Sequence, residues 1–152
     1  MYSEILQTPI GDLSIFALDE AVERIVFDTP IDSPVPNDLT RDCSQQLSEY
    51  FARQRREFDL PLRFGGTEFQ TIAWKALLDI PYGKTSTYSR QASAIGRPKA
   101  IRAVGAANGK NVLNIVVPCH RVIGASGSLT GYGGGLERKR WLLDHETQSL
   151  FA

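Results

Sequence analysis

Cysteine is scarce in this 152-residue chain, with Cys43 and Cys119 the only two. In a chain with no secretion signal, two thiols read as reduced side chains and not as a disulfide framework. Long hydrophobic runs are lacking too. No apolar stretch approaches the roughly 18 to 20 residues that a membrane helix needs, and Glu4 and Asp12 stand where a signal peptide would carry a basic start and an apolar core. The expectation is a cytoplasmic protein with no membrane partner. Internal repeats and low-complexity tracts are absent, and 22% charged with 42% hydrophobic residues excludes a disordered tail, a collagen-like fibre and a coiled coil. The length suits one compact domain or two small ones.

Net charge is also lacking, but its zero hides a division. Residues 1–66 hold 6 Lys/Arg against 12 Asp/Glu, whereas residues 67–152 hold 11 against 5. A net −6 followed by a net +6 suggests a polyanion-binding surface on the second half. Charges that alternate in sign along helices would instead be plain solvated faces.

The segments Ile5–Thr8, Leu13–Ala17 and Val22–Phe27 mix β-branched and aromatic residues, with turn chemistry at 9–12 and at Asp19-Glu20. They predict a three-stranded meander. Leu39, Cys43, Leu47, Tyr50 and Phe51 then recur at helical spacing, with Asn37 or Asp38 as the cap. Cys43 on that stripe reads as a buried core thiol. Gly65-Gly66 marks a boundary. Thr67 and Gln70 form a capping box opening a helix whose apolar face is Phe69, Ile72, Ala73, Ala76, Leu77 and Ile80, stopped by Pro81. A short helix over about 88–95, a Gly96-Arg97 turn and a second helix opening at Pro98 resemble a helix-turn-helix. Arg97, Lys99, Arg102 and Lys110 cluster on and beside that second helix, which points to DNA contact. Asn114–Val117 reads as a strand ended by Pro118. Six of the thirteen glycines fall within 124–135, which marks a loop whose backbone turns sharply or is approached closely. A last helix runs over about 136–145.

Chemistry concentrates in Pro118-Cys119-His120-Arg121-Val122. A cysteine after a strand-ending proline, at the start of a helical turn, meets backbone N–H groups that favour thiolate, and His120 and Arg121 push the same way. Adjacent residues on a regular strand face opposite ways, so Cys119 and His120 can communicate only through a turn or a bridging water.

Around this motif stand Ile-Pro-Tyr-Gly-Lys at 80–84, Tyr88, Gly-Arg-Pro-Lys-Ala-Ile-Arg-Ala-Val-Gly at 96–105, Asn111, Gly-Tyr-Gly-Gly-Gly at 131–135 and Trp-Leu-Leu-Asp-His-Glu at 141–146. Together these motifs make the chain closely resemble the O6-alkylguanine-DNA alkyltransferase family, while residues 1–66 match in general pattern only. The resemblance implies an α+β fold, with an N-terminal ribonuclease-H-like domain (1–66) bearing a small antiparallel sheet. A C-terminal winged-helix-like helix-turn-helix domain (67–152) would bind DNA and accept the alkyl group. It implies single-turnover DNA repair in which an alkyl group passes irreversibly from guanine O6, with thymine O4 a further substrate, to Cys119. A thiolate is the nucleophile suited to that saturated carbon.

By the same resemblance His120 deprotonates Cys119 through a water, Glu146 orients and charges His120, Tyr88 donates to guanine N3, and Asn111 is a hinge. Arg102 would intrude into the duplex as the nucleotide is extruded. Ala103, Gly105 and Ala106 would let the helix lie close to the minor groove. The backbone at Cys119 and Val122 would read the guanine edge, Tyr132 would wall the pocket, and Asn114 would stand at its rim. The implied partner is double-stranded DNA containing O6-alkylguanine, met by a monomer. No metal and no cofactor is implied, since His120 and His145 are the only histidines and the zinc ligands of some members have no counterpart. Gly133 departs from the Ser or Ala of many relatives, leaving O6 to backbone N–H groups such as that of Gly134, and Val112 replaces a common proline. Two other classes compete. A non-catalytic alkyltransferase-like binding module would lack the reactive cysteine, and a cysteine hydrolase would regenerate its thiol.

Overall fold

The computed structural model describes residues 1–148, which fall into two compact units, Met1–Gly65 and the residues from Gly66 onward. In the first, β1 (Tyr2–Leu6), β2 (Leu13–Ala17) and β3 (Val22–Phe27) form an antiparallel sheet in that order. The expected meander is present, but its first strand lies three residues earlier than Ile5–Thr8. Thr8 belongs to the turn: its carbonyl accepts from Gly11 N at 3.2 Å and its hydroxyl from Ile10 N at 3.2 Å, so pairing ends at Leu6 opposite Leu13.

Helix α1 (Asp38–Phe51) is capped by Asn37, whose side chain accepts from Thr40 N at 2.9 Å while Thr40 Oγ1 accepts from Asn37 N at 2.9 Å. Its buried residues are Thr40, Cys43, Gln46, Leu47 and Tyr50, and the apolar stripe among them packs on β1 and β2 over Leu13, Ile15 and Ala17. Burial, with Asp42 and Glu4 nearby, pushes the Cys43 thiol up to about 12. The thiol is inert core.

In the second unit α2 (Glu68–Leu77) opens on the Thr67/Gln70 capping box. Its buried residues are Ala73 and Leu77 of the expected face and also Trp74, while Phe69, Ile72 and Ala76 are half-buried and Ile80 lies beyond the helix end. Trp74 is buried on this side because its indole N–H reaches Ala107 O at 2.8 Å. Helices α3 (Tyr88–Ala94) and α4 (Ile101–Gly109) form the helix-turn-helix. α4 opens three residues later than Pro98, since Ala100 N closes a turn onto Arg97 O at 2.9 Å. A buried amide pair locks the three helices. Gln91 Nε2 donates to Ala73 O at 3.0 Å and to Asn108 Oδ1 at 2.9 Å, and Asn108 Nδ2 returns a bond to Gln91 Oε1 at 2.7 Å.

The strand expected at Asn114–Val117 is instead a buried turn. Val117 N bonds back to Leu113 O at 2.9 Å and Ile115 takes φ 72°; complete burial of these apolar residues mimics a strand in sequence but does not require one. Short strands β4 (Ser86–Thr87) and β5 (Val122–Ile123) pair in parallel, and α5 (Leu136–Gln148) closes the unit. Among the described residues no helix is long and apolar enough to cross a membrane.

Candidate active site

Pro118 leads into a 3-10 turn, Cys119–Arg121, closed by Arg121 N on Pro118 O at 3.0 Å. All three turn residues are buried, Cys119 at 5% exposure. The turn removes the strand geometry that would send Cys119 and His120 to opposite faces. Asn111, just past α4, fixes the thiol. Its Nδ2 donates to Val117 O at 2.9 Å and to Cys119 Sγ at 3.3 Å, and its Oδ1 accepts from Leu113 N at 2.9 Å.

His120 Nε2 lies 2.6 Å from Glu146 Oε2. The carboxylate opposite assigns the ring proton to Nε2, which leaves Nδ1 as an acceptor. That Nδ1 is buried and has no hydrogen-bond partner among the described residues. Glu146, on α5, is 1% exposed and not the exposed helix-end acid that its position suggests. Neighbouring His145 is a packing residue whose ring stacks on Trp141 at 4.8 Å.

Burial pushes the Cys119 thiol up, and the Asn111 amide, the Lys139 ammonium and the backbone only partly offset it. Burial also holds His120 below its usual range; Glu146 pulls it up, while Arg121 and Lys139 push it further down. For Glu146 burial opposes ionisation, but His120 and Arg121 outweigh it and hold the carboxyl well below the carboxylate range. The resting site is therefore a thiol, a neutral imidazole and a carboxylate.

One expectation is corrected. Arg121 does not act on the cysteine; its Nε and Nη2 bind Glu146 at 2.8 and 3.1 Å and its Nη1 binds Ile80 O at 2.7 Å. The cation that does act on Cys119 is Lys139, which sequence reading missed. Lys139 is 1% exposed, and its ammonium donates to Val122 O and Thr130 O, each at 2.6 Å. It ties the strand residue that leads into the glycine-rich loop to Thr130 in the middle of that loop. Within the run Arg138-Lys139-Arg140 it reads as solvated charge; only the spacing 139, 142, 146, shared with Leu142 and Glu146, marks the buried face of α5.

Tyr88 is half-buried, and its hydroxyl donates to Thr130 O at 2.9 Å. Gly131, at φ 66°, adopts a backbone conformation that favours glycine, and a Cβ there would sit a tight 3.1 Å from that hydroxyl. Gly105 packs its backbone toward the Tyr88 ring, where a Cβ would stand 3.8 Å away. It is thus half-buried and does not share the outer strip of α4, where Arg102, Ala103, Ala106 and Lys110 are exposed. Arg97 and Lys99 are exposed in the turn before α4, beside an open groove they line with Pro98 and Ala100; Arg97 also lies over the Phe69 ring at 5.4 Å.

Tyr132 is buried, and its hydroxyl has no hydrogen-bond partner among the described residues. Burial raises its phenol well above the usual range, and Cys119 adds to the rise. Gly133 is exposed, with Gly109 O 3.1 Å from where its Cβ would be, and the Gly134 carbonyl accepts from Arg138 Nη1 at 3.2 Å. Asn114 is buried in the turn that replaces the expected strand, and Val122 is buried at the start of β5. Among the described residues no cluster of three or more His, Cys, Asp or Glu could hold a metal ion.

Fold and site together define a class: a helix-turn-helix unit into which a buried cysteine, histidine and glutamate are built. Residues 68–148 match the sequence model of the 6-O-methylguanine DNA methyltransferase DNA-binding domain, and residues 1–64 match that of the ribonuclease-like domain of the same family. The methylated-DNA--protein-cysteine methyltransferase of Mycobacterium bovis is 61% identical over 93% of this chain and 89% of its own length. That of Methanosarcina acetivorans is 47% identical over 96% and 98%. The crystal structure of Mycobacterium tuberculosis OGT in complex with DNA superposes with a TM-score of 0.91 and 43% identity, covering 98% of this chain and 94% of that one. The chain belongs to the 6-O-methylguanine DNA methyltransferase family.

Proposed function

We propose that this protein repairs DNA by moving a methyl or larger alkyl group from guanine O6 in a duplex to Cys119, once per molecule. The observation that carries the reading is the buried row of Asn111 on Cys119 Sγ and of His120 on Glu146, with His120 Nδ1 left as an acceptor. The Cys119 proton passes through a water to His120 Nδ1, and Glu146 stabilises the imidazolium. The thiolate attacks the alkyl carbon in line with O6; the S–C bond forms, the C–O bond breaks, and its electron pair leaves with the base. Tyr88, turning from Thr130 O, donates to guanine N3 and offsets that charge. The guanine anion takes a proton from water, while Cys119 remains a thioether.

The unit from Gly66 onward makes the DNA contacts. The exposed strip of α4 lies along the groove, Arg102 enters the space vacated by the extruded nucleotide, and Arg97, Lys99 and Lys110 meet phosphates. Val122, Tyr132, Gly133, Gly134 and Asn114 surround the base, and Lys139 holds Val122 and Thr130 on the side of the loop that precedes Tyr132.

Intact-mass measurement after incubation with duplex carrying O6-methylguanine tests the reading. One methyl per chain, mapped to Cys119, absent in Cys119→Ser and retained in Cys43→Ser, is the expected result. Repeated turnover, or a methyl on Cys43, refutes it.

A further inference from the structure

The motif Ile80-Pro81-Tyr82-Gly83 and the residue Arg121 have no part in the reaction as proposed, yet they converge on one group of it. Arg121 approaches Glu146 with both Nε and Nη2 and anchors Nη1 on Ile80 O at 2.7 Å. The Tyr82 ring lies 5.7 Å from the guanidinium carbon. Gly83, at φ 78°, turns its N–H onto Glu146 Oε1 at 3.4 Å. Glu146 Oε2 is therefore shared between Arg121 Nη2 at 3.1 Å and His120 Nε2 at 2.6 Å. Buried carboxylates need a single partner to remain ionised; a bidentate guanidinium supplies one independently of the histidine.

We propose that Arg121, braced by the Ile80–Gly83 turn, is a positioning residue that shares the Glu146 carboxylate so that His120 rests neutral, with Nδ1 free to take the Cys119 proton. The inference rests on the roles assigned above to Cys119, His120 and Glu146. Burial already disfavours a charged imidazole, but a Glu146 carboxylate facing His120 alone would pull against it and favour a proton held between the pair, which would leave the ring a poorer base. Arg121 removes that outcome in two ways. It divides the carboxylate's charge between two donors, and it adds a positive charge beside the ring, which disfavours a second one. The charged groups acting on His120 are Glu146 and Lys139 from α5 and Arg121 from its own turn. Of these only Glu146 favours the imidazolium.

The composition makes the proposal measurable, because His120 and His145 are the only two histidines and His145→Gln identifies the second signal. Imidazole NMR titration of wild type, Arg121→Gln and Arg121→Lys reads His120 without reference to activity. Single-turnover rates on O6-methylguanine duplex are measured across the same pH range. In Arg121→Gln the His120 titration should move up by about one unit or more. The acid limb of the rate should move with it, and the rate should recover toward wild type at high pH. An unmoved titration with a uniform loss of rate means that Arg121 only supports the fold, and the proposal falls. If Arg121→Gln does not fold, Arg121→Lys decides alone. One ammonium cannot hold both carboxylate oxygens as the fork does, so the titration should rise by a smaller step, and no rise refutes the proposal. Because the NMR result does not depend on which cysteine accepts the alkyl group, failure here is distinct from failure of the mass test on Cys119.

Discussion

Replacing Glu146 by Gln should unfold the second unit before it abolishes chemistry in the folded fraction. The carboxylate is 1% exposed and accepts from His120, from two nitrogens of Arg121 and from Gly83 N. The amide keeps one acceptor, turns an NH2 toward a donor, and leaves the Arg121 side chain, 8% exposed, without a counter-charge. Removing one partner of a buried ion pair costs about 3–5 kcal/mol, against about 5–15 kcal/mol for a whole domain. Each kcal/mol lowers the midpoint of a unit this size by about 4–8 °C, so a fall of at least 10 °C is expected, to order of magnitude.

Both tryptophans, Trp74 and Trp141, lie in this unit, so tryptophan fluorescence in urea follows it without the first. The pH dependence has a fixed sign. Glu146 titrates lower folded than unfolded, so its contribution is complete above its ordinary value of 4.5 and is lost as pH falls toward the folded value. His120 is also depressed when folded, so below its ordinary 6.5 the unfolded chain binds a proton that the folded chain resists, and stability again falls with acid. Wild-type stability should therefore decline from about pH 6.5 downward and more steeply below about 4.5, and Glu146→Gln should lose the steeper part. Equal urea midpoints for both proteins at pH 7, or parallel acid limbs, would refute the reasoning.

Arg102→Ala should slow repair of duplex DNA far more than reaction with free O6-benzylguanine, because only the duplex has to be opened; equal losses would assign Arg102 to folding or chemistry. Tyr88→Phe should slow both substrates, since the lost hydroxyl acts on the leaving base. Salt titrations on several unrelated duplexes should show steep, sequence-independent weakening, and Lys99→Ala should make the log-log slope shallower by about 1; an unchanged slope removes Lys99 from the footprint. Asn108→Leu should destabilise the second unit by about 1–3 kcal/mol by stranding the buried Gln91 amide, a loss that urea unfolding measures and that an unchanged midpoint contradicts.

Local chemistry alone determined much of this protein. The capping boxes at Asn37 and Thr67 satisfy helix ends from residues three apart, and the stripe through Cys43, Leu47 and Tyr50 needs only helical period to declare its face. Motifs contiguous in sequence, Pro118 to Val122 above all, carried the family resemblance. Tertiary structure decided whatever depends on partners distant in the chain. Leu113 to Val117 is apolar enough for a strand, but backbone bonds within the segment fold it into a turn. Arg121 looks like a neighbour of Cys119, yet a carboxylate 25 residues on claims its guanidinium. Lys139 sits between a half-buried and an exposed arginine and becomes the buried cation because two carbonyls, from Val122 and Thr130, meet its ammonium. A charge in sequence carries no record of whether water or protein will solvate it; packing makes that choice, because burial stabilises only those charges whose partners it has already brought within reach.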